Sequence, residues 1–255
     1  MNSSESARFE IYLRKTPGRY AHLLKEHNLR EPRTSMSHFE TIKQRYKSQD
    51  VADAYDGERF SSIQGKVFNH LERSCLERQI KALRDEQGVK EILDIPCGTG
   101  RHTEVLAGLG LAVTAGDISE AMLNVSRRKL AAFSNVQYRV ENIAKMSFED
   151  SSFDCAICIR LLHHLDTNDR RDILKELGRV TRRYILINFS YSSAWYDFRN
   201  RVKNVLRLPV SRVAIAGPAM DEDLASSGLK LVKRIFVIPG ISENVFYLLE
   251  KEKKN

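Results

Sequence analysis

Two carboxylates around a glycine turn are the residues of this chain best placed to do chemistry. The stretch Glu91-Ile-Leu-Asp-Ile-Pro-Cys-Gly-Thr-Gly100 is an apolar run with one acid, Asp94, ending in the turn Gly98-Thr99-Gly100. A helical pattern follows from Arg101. A strand that runs into glycines and then a helix brings bare backbone close to a ligand and aims a helix N-terminus at it. A second apolar run ends at Asp117, a placement suited to gripping ribose hydroxyls. Two strand-end acids around such a turn make a nucleoside-type cofactor site.

The elements that must position these residues alternate. Strands are predicted at about 90–96, 112–117, 136–141, 153–160 and 184–189. Helices fall between them at 101–109, 119–133 (with Ser119 as N-cap) and 168–180. That alternation calls for a parallel sheet covered on both faces by helices. A basic helix at 193–207 and a short helix from Asp221 to Ser227 follow. The last strands, about 230–238 and 244–250, are joined by the turn Pro239-Gly240-Ile241-Ser242, so they must be antiparallel. The domain reading is a flexible arm over 1–36, a helical extension over 37–85 that covers the cofactor site, and a cofactor-binding domain over 86–255.

Composition narrows the class. The 255 residues can bury a real core, and the net charge of +8 favours anionic partners without choosing among them. No apolar run reaches the length of a membrane span, and the N-terminus lacks a signal-peptide profile. The four cysteines suit a reducing cytoplasm. Cys155 and Cys158, three apart on a strand, face opposite sides, so they are read as buried thiols rather than as a shared metal ligand pair, and no metal site is expected.

These motifs resemble the class I S-adenosylmethionine-dependent methyltransferases of the small-molecule type, over roughly residues 88–250. The resemblance rests on Leu93-Asp-Ile-Pro-Cys-Gly-Thr-Gly100, Gly116-Asp-Ile-Ser-Glu-Ala-Met122, Phe148-Glu-Asp-Ser-Ser-Phe-Asp154 and Leu161-Leu-His-His-Leu165, in that order. It implies a Rossmann-like α/β fold: a seven-stranded, mostly parallel sheet with an antiparallel last strand, helices on both faces and an N-terminal helical extension. It implies S-adenosylmethionine as cofactor. Asp94 would lie near the methionine part, Gly98 and Gly100 under the cofactor, and Asp117 on the ribose. Ile118 would pack on the adenine, with Asn142 and Ile143 beside its amino group. Arg160 would sit where cofactor and substrate meet, and Tyr55 or Arg59 of the extension would reach the cofactor carboxylate or simply pack. Two positions depart from the family. Pro96 replaces its first glycine and lacks an N–H, and Asn142 replaces an Asp. A dinucleotide-binding Rossmann fold is the rival, but it needs a glycine where Thr103 stands.

Other residues carry two readings. His163 and His164 follow the 153–160 strand and serve either as a catalytic base or as loop packing. Tyr191, Trp195 and Tyr196 either line the substrate pocket or anchor the next helix. The segment 197–208 is either a solvated surface helix or a lid that docks on lipid headgroups or an anionic substrate. The expected function is methyl transfer to a small-molecule or lipid-like acceptor. The protein is expected in the cytoplasm, with peripheral membrane contact included in the reading and oligomeric state left open. The alternatives are a nucleic-acid methyltransferase, for which no RNA-binding module is visible, and a non-catalytic binding protein of the same fold.

Overall fold

The computed structural model describes residues 49, 52, 53, 55, 62–192, 194–205, 214–240 and 242–252. The arm over 1–36 and Arg59 lie outside the described residues. Met36–Ser193 with Val213–Asn255 forms one compact unit, and Ala194–Arg212 belongs to another.

The first unit opens with α1 (Ile63–Gln87), capped by Ser62, whose side chain accepts from the Gly65 N–H, and closed by Gly88 in the left-handed region at φ +71°. Its buried residues Glu72, Cys75, Leu76, Ile80 and Leu83 follow helical spacing and form one face. Then come β1 (Glu91–Asp94), α2 (Thr103–Gly108), β2 (Ala112–Asp117), α3 (Glu120–Lys129), β3 (Val136–Val140) and β4 (Phe153–Ile159). A 3₁₀ turn (Leu162–His164) leads to α4 (Thr167–Val180) and β5 (Thr181–Ser192). The remaining elements of this unit are β6 (Ile215–Ala216), α6 (Gly217–Ala225), β7 (Leu229–Phe236) and β8 (Asn244–Lys251). The second unit contributes α5 (Ala194–Val205), within which the Arg199 guanidinium lies 5.7 Å from the centre of the Tyr196 ring.

The sheet order is β3-β2-β1-β4-β5-β8-β7, with the short β6 beside β5. β1 to β5 pair in parallel, and β8 runs antiparallel to both β5 and β7. The expected sheet with its antiparallel end is therefore present, and β6 is an eighth strand that the sequence did not announce. Strands buried on both faces read as continuous apolar runs, and their alternation sorts the core into two layers. Ile92, Cys155 and Ile157 pack toward α1 and α2, with Leu76, Ile80 and Leu106. Leu93, Ala156 and Cys158 pack toward α4, with Ile173, Leu174 and Leu177. Cys155 and Cys158 thus sit in different layers, as their spacing requires. Truncating a fully buried member such as Leu76 to Ala would cost about 2–5 kcal/mol.

Candidate active site

The strand order reverses at β1, which lies between β2 and β4, and the crevice at the carboxyl ends of these strands is where open α/β sheets bind ligands. Asp94 ends β1 and Asp117 ends β2. Both are buried. Asp94 Oδ2 accepts from the Thr103 hydroxyl at 2.6 Å. Burial, against the help of that bond and with the Asp117 charge nearby, pushes the Asp94 carboxyl up to about 7. Asp117 takes the Gly98 N–H on Oδ2 and the Ser119 N–H on Oδ1, each at 2.9 Å. Burial raises its carboxyl too, and these backbone donors oppose the rise. Each acid keeps acceptor capacity beyond the bonds named here.

The two glycines of the turn differ. Gly98 holds φ +54° and a Cβ there would meet nothing within 4 Å, so its outer face opens onto free space. Gly100 holds φ +81°, and a Cβ there would overlap Ser126 Oγ and touch Leu130 at 3.0 Å. Close approach of α3 accounts for Gly100, whereas at Gly98 the positive φ alone favours glycine. Ser119 caps α3 as its position predicts, accepting from the Met122 N–H at 3.2 Å.

The other candidate residues stand in varied surroundings. Pro96 and Ile118 are half-buried beside the two acids. Asn142 closes a small turn, its Oδ1 accepting from the Ala144 N–H at 3.2 Å. Ile143 is buried in the α4-side core. Tyr55 packs on α3 through Ala121, Met122 and Val125. His163 is buried and His164 exposed, with ring centres 4.1 Å apart. Tyr191 stands edge-on to Phe236 and closes against Gly217, where a Cβ would come within 2.6 Å of its hydroxyl. Tyr196 and Trp195 lie on α5 in the other unit, and the Trp195 side chain is outside the described residues. Among the described residues, no group of His, Cys, Asp and Glu could hold a metal ion.

Arg160 is tied to the helical extension by a buried ion pair. It follows β4 at φ +63°, an unusual conformation for a side-chain-bearing residue, and its guanidinium is engaged by Glu72 of α1. Glu72 Oε1 also faces Arg101 at 3.1 Å and His102 Nε2 at 3.2 Å. Its Oε2 takes Asn244 Nδ2 at 2.5 Å, and Asn244 in turn accepts from Asn188 of β5. One buried acid thus ties the helical extension to β4, β8 and the start of α2. Burial chiefly, with the Arg101 charge, drives His102 down to about 4, so it is neutral at pH 7. Sequence reasoning missed Glu72. Its signal was an acid on the same helical stripe as Cys75, Leu76 and Leu83.

Residues 92–183 match the family model described as a methyltransferase domain. The chain is 30% identical over 135 residues to a demethylmenaquinone methyltransferase of Tropheryma whipplei (strain Twist), a match covering 51% of this chain and 54% of that one. It is 26% identical over 164 residues to the chloroplastic magnesium protoporphyrin IX methyltransferase of Arabidopsis thaliana, covering 61% and 50%. The chain spans about half the length of the curated relatives it matches. Among solved structures, it resembles magnesium protoporphyrin IX methyltransferase from Synechocystis PCC 6803 with bound SAH (TM-score 0.69, 16% identity, 84% of this chain and 100% of that one).

Proposed function

We infer that this chain, whose residues 92–183 match a methyltransferase-domain model, is a class I S-adenosylmethionine-dependent enzyme that transfers a methyl group from that cofactor to a small-molecule or lipid-like acceptor. The observation that carries the reading is the pair Asp94 and Asp117 at the ends of adjacent parallel strands, with Gly98 open between them. That donor set suits the cofactor. A buried acid with spare lone pairs accepts an ammonium, a second one accepts ribose hydroxyls, and the open face of Gly98 leaves room for a ligand.

When bound, S-adenosylmethionine supplies a methyl group already activated on a sulfonium, so the chain's work is binding, alignment and exclusion of water. Asp117 would hold the ribose hydroxyls, Ile118 would pack on the adenine, and Asn142 with the backbone of Ile143 would lie beside its amino group. Asp94 balances the ammonium. Glu72 fixes Arg160 and with it the entry to the loop carrying His163 and His164. If the acceptor is a hydroxyl, one of these histidines takes its proton; an amine or activated carbon needs no base. Tyr191 borders the acceptor side. The relatives named for demethylmenaquinone, ubiquinone and magnesium protoporphyrin IX support a small-molecule acceptor. A lipid-like acceptor is met at a bilayer, so the reading includes peripheral contact with a membrane. The net charge of +8 supports an anionic partner.

Two measurements test it. Calorimetry with S-adenosylhomocysteine should show micromolar or tighter binding to the full chain and a loss of at least tenfold in Asp117→Ala. Labelling of cell fractions with methyl-tritiated cofactor should put the label in the small-molecule or lipid fraction. Unchanged affinity in Asp117→Ala overturns the site, and label in RNA overturns the acceptor class.

A further inference from the structure

α5 is an amphipathic helix with an exposed apolar stripe. At about 100° per residue, Phe198, Val202 and Val205 form one stripe. They are 56%, 41% and 82% exposed. Arg199, Asn200 and Lys203 are partly exposed, and Tyr196 is buried. Arg201 and Arg199 flank the stripe on its two sides, and Lys203 lies one residue beyond Val202. The helix sequence holds these three cations against one acid, Asp197.

We propose that α5 is an interfacial docking helix, laying Phe198, Val202 and Val205 among the acyl chains of an anionic membrane while Arg201 and Arg199, at the stripe's two edges, meet the headgroup phosphates. The pattern is that of helices lying in the bilayer interface: an apolar stripe edged by cations with long apolar stems. At 12 residues the helix reaches about 18 Å, short of the roughly 30 Å hydrocarbon core, so it lies on the bilayer and does not span it. A second protein is the poorer occupant. Three side chains cover far less than the roughly 800 Å² per partner that a stable interface buries. The proposal deepens the membrane contact in the reading above and is independent of the methyl-transfer chemistry.

The test uses the full chain and vesicles of phosphatidylcholine, alone or mixed with phosphatidylglycerol. Trp195 is the chain's single tryptophan and lies on α5, so its emission reports on this helix. Mixed vesicles should sediment the protein and shift that emission to the blue, and phosphatidylcholine alone should bind far less. Arg201→Gln should weaken binding about fivefold, the effect of one cation near an anionic surface. Phe198→Ser with Val202→Ser and Val205→Ser should weaken it at least tenfold while S-adenosylhomocysteine affinity stays at the wild-type value. No binding to mixed vesicles overturns the proposal, as does binding that is equal on both vesicle types or unaffected by the triple substitution. Failure of S-adenosylhomocysteine to bind, with vesicle binding intact, overturns the methyl-transfer reading alone.

Discussion

Glu72, midway along α1, receives Arg160 from the end of β4 at two points, with Nε 2.9 Å and Nη2 2.7 Å from its Oε2. Burial alone would raise the Glu72 carboxyl, but Arg160, His102 and Arg101 together hold it well below the usual carboxylate range. The acid is therefore charged in the interior, and its value lies in what it holds. Arg160 keeps its left-handed backbone, and α1 stays packed on the sheet beside Ile92 and Ile157.

Glu72→Ala should accordingly lower the unfolding free energy by about 3–5 kcal/mol, because it strands a buried guanidinium. Glu72→Gln keeps the shape and should cost less. The carboxyl is depressed in the fold, so its contribution is full above the ordinary value of 4.5 and is lost as pH falls through the lower folded value. Urea unfolding at pH 7 and pH 3 reads both effects. An alanine variant as stable as the parent at pH 7 would mean that the pair holds nothing in place.

Cofactor affinity should depend on pH through Asp94. Its carboxyl titrates at about 7 in the free protein. An ammonium beside it favours the ionised form, so binding drives the proton off. Affinity for S-adenosylhomocysteine should fall as pH drops through this range, by about tenfold between pH 8 and pH 6. Calorimetry in buffers of different ionisation enthalpy should also detect the released proton. An unchanged slope in Asp94→Asn assigns the effect elsewhere.

The same acid costs the fold something. A group raised from 3.8 to about 7 by folding contributes stability that is present below 3.8 and lost as pH rises through 7. Asp94→Asn keeps an acceptor for the Thr103 hydroxyl and removes the buried charge. It should therefore stabilise the protein at pH 8, by up to about 4 kcal/mol, and leave stability near pH 4 almost unchanged. Greater stability with weaker cofactor binding is the signature of a group kept for function. A variant less stable at pH 8 contradicts it.

The parts of the site that were legible in the sequence rest on local chemistry. The glycine turn, the Ser119 cap and the antiparallel end each follow from residues a few positions apart. Glu72 was hidden because its partners stand far along the chain, with Arg160 88 and Asn244 172 residues away. An acid within an amphipathic pattern looks solvated until the fold supplies those cations. α6 begins at Gly217-Pro218, ahead of the expected Asp221, because Pro in the first turn opens a helix where the sequence reads as a loop. β6 is two residues long and defined only by its pairing with Tyr191 and Ser192. α5 was legible as a helix, but the exposure of its apolar stripe was not, since the pattern says which residues share a face and not whether that face is covered.

The two glycines of the turn should separate packing from binding. Gly98→Ala meets no neighbour and carries only the penalty of a side chain at φ +54°, about 1–2 kcal/mol. Its methyl enters the open space beside Asp117, so its main effect should be on cofactor affinity, a loss of tenfold or more. Gly100→Ala carries the same backbone penalty and adds a collision with Ser126, so it should cost about 3 kcal/mol or more in stability. Pairing Gly100→Ala with Ser126→Gly removes the obstructing hydroxyl and should recover part of that loss. Gly98→Ala gains nothing from the same partner, because Ser126 does not face it. Denaturant melts of the four variants, with cofactor calorimetry on each, give the comparison. If both glycine variants lose stability equally and respond equally to Ser126→Gly, the turn is a packing device at both positions, and the open face of Gly98 is no argument for a ligand.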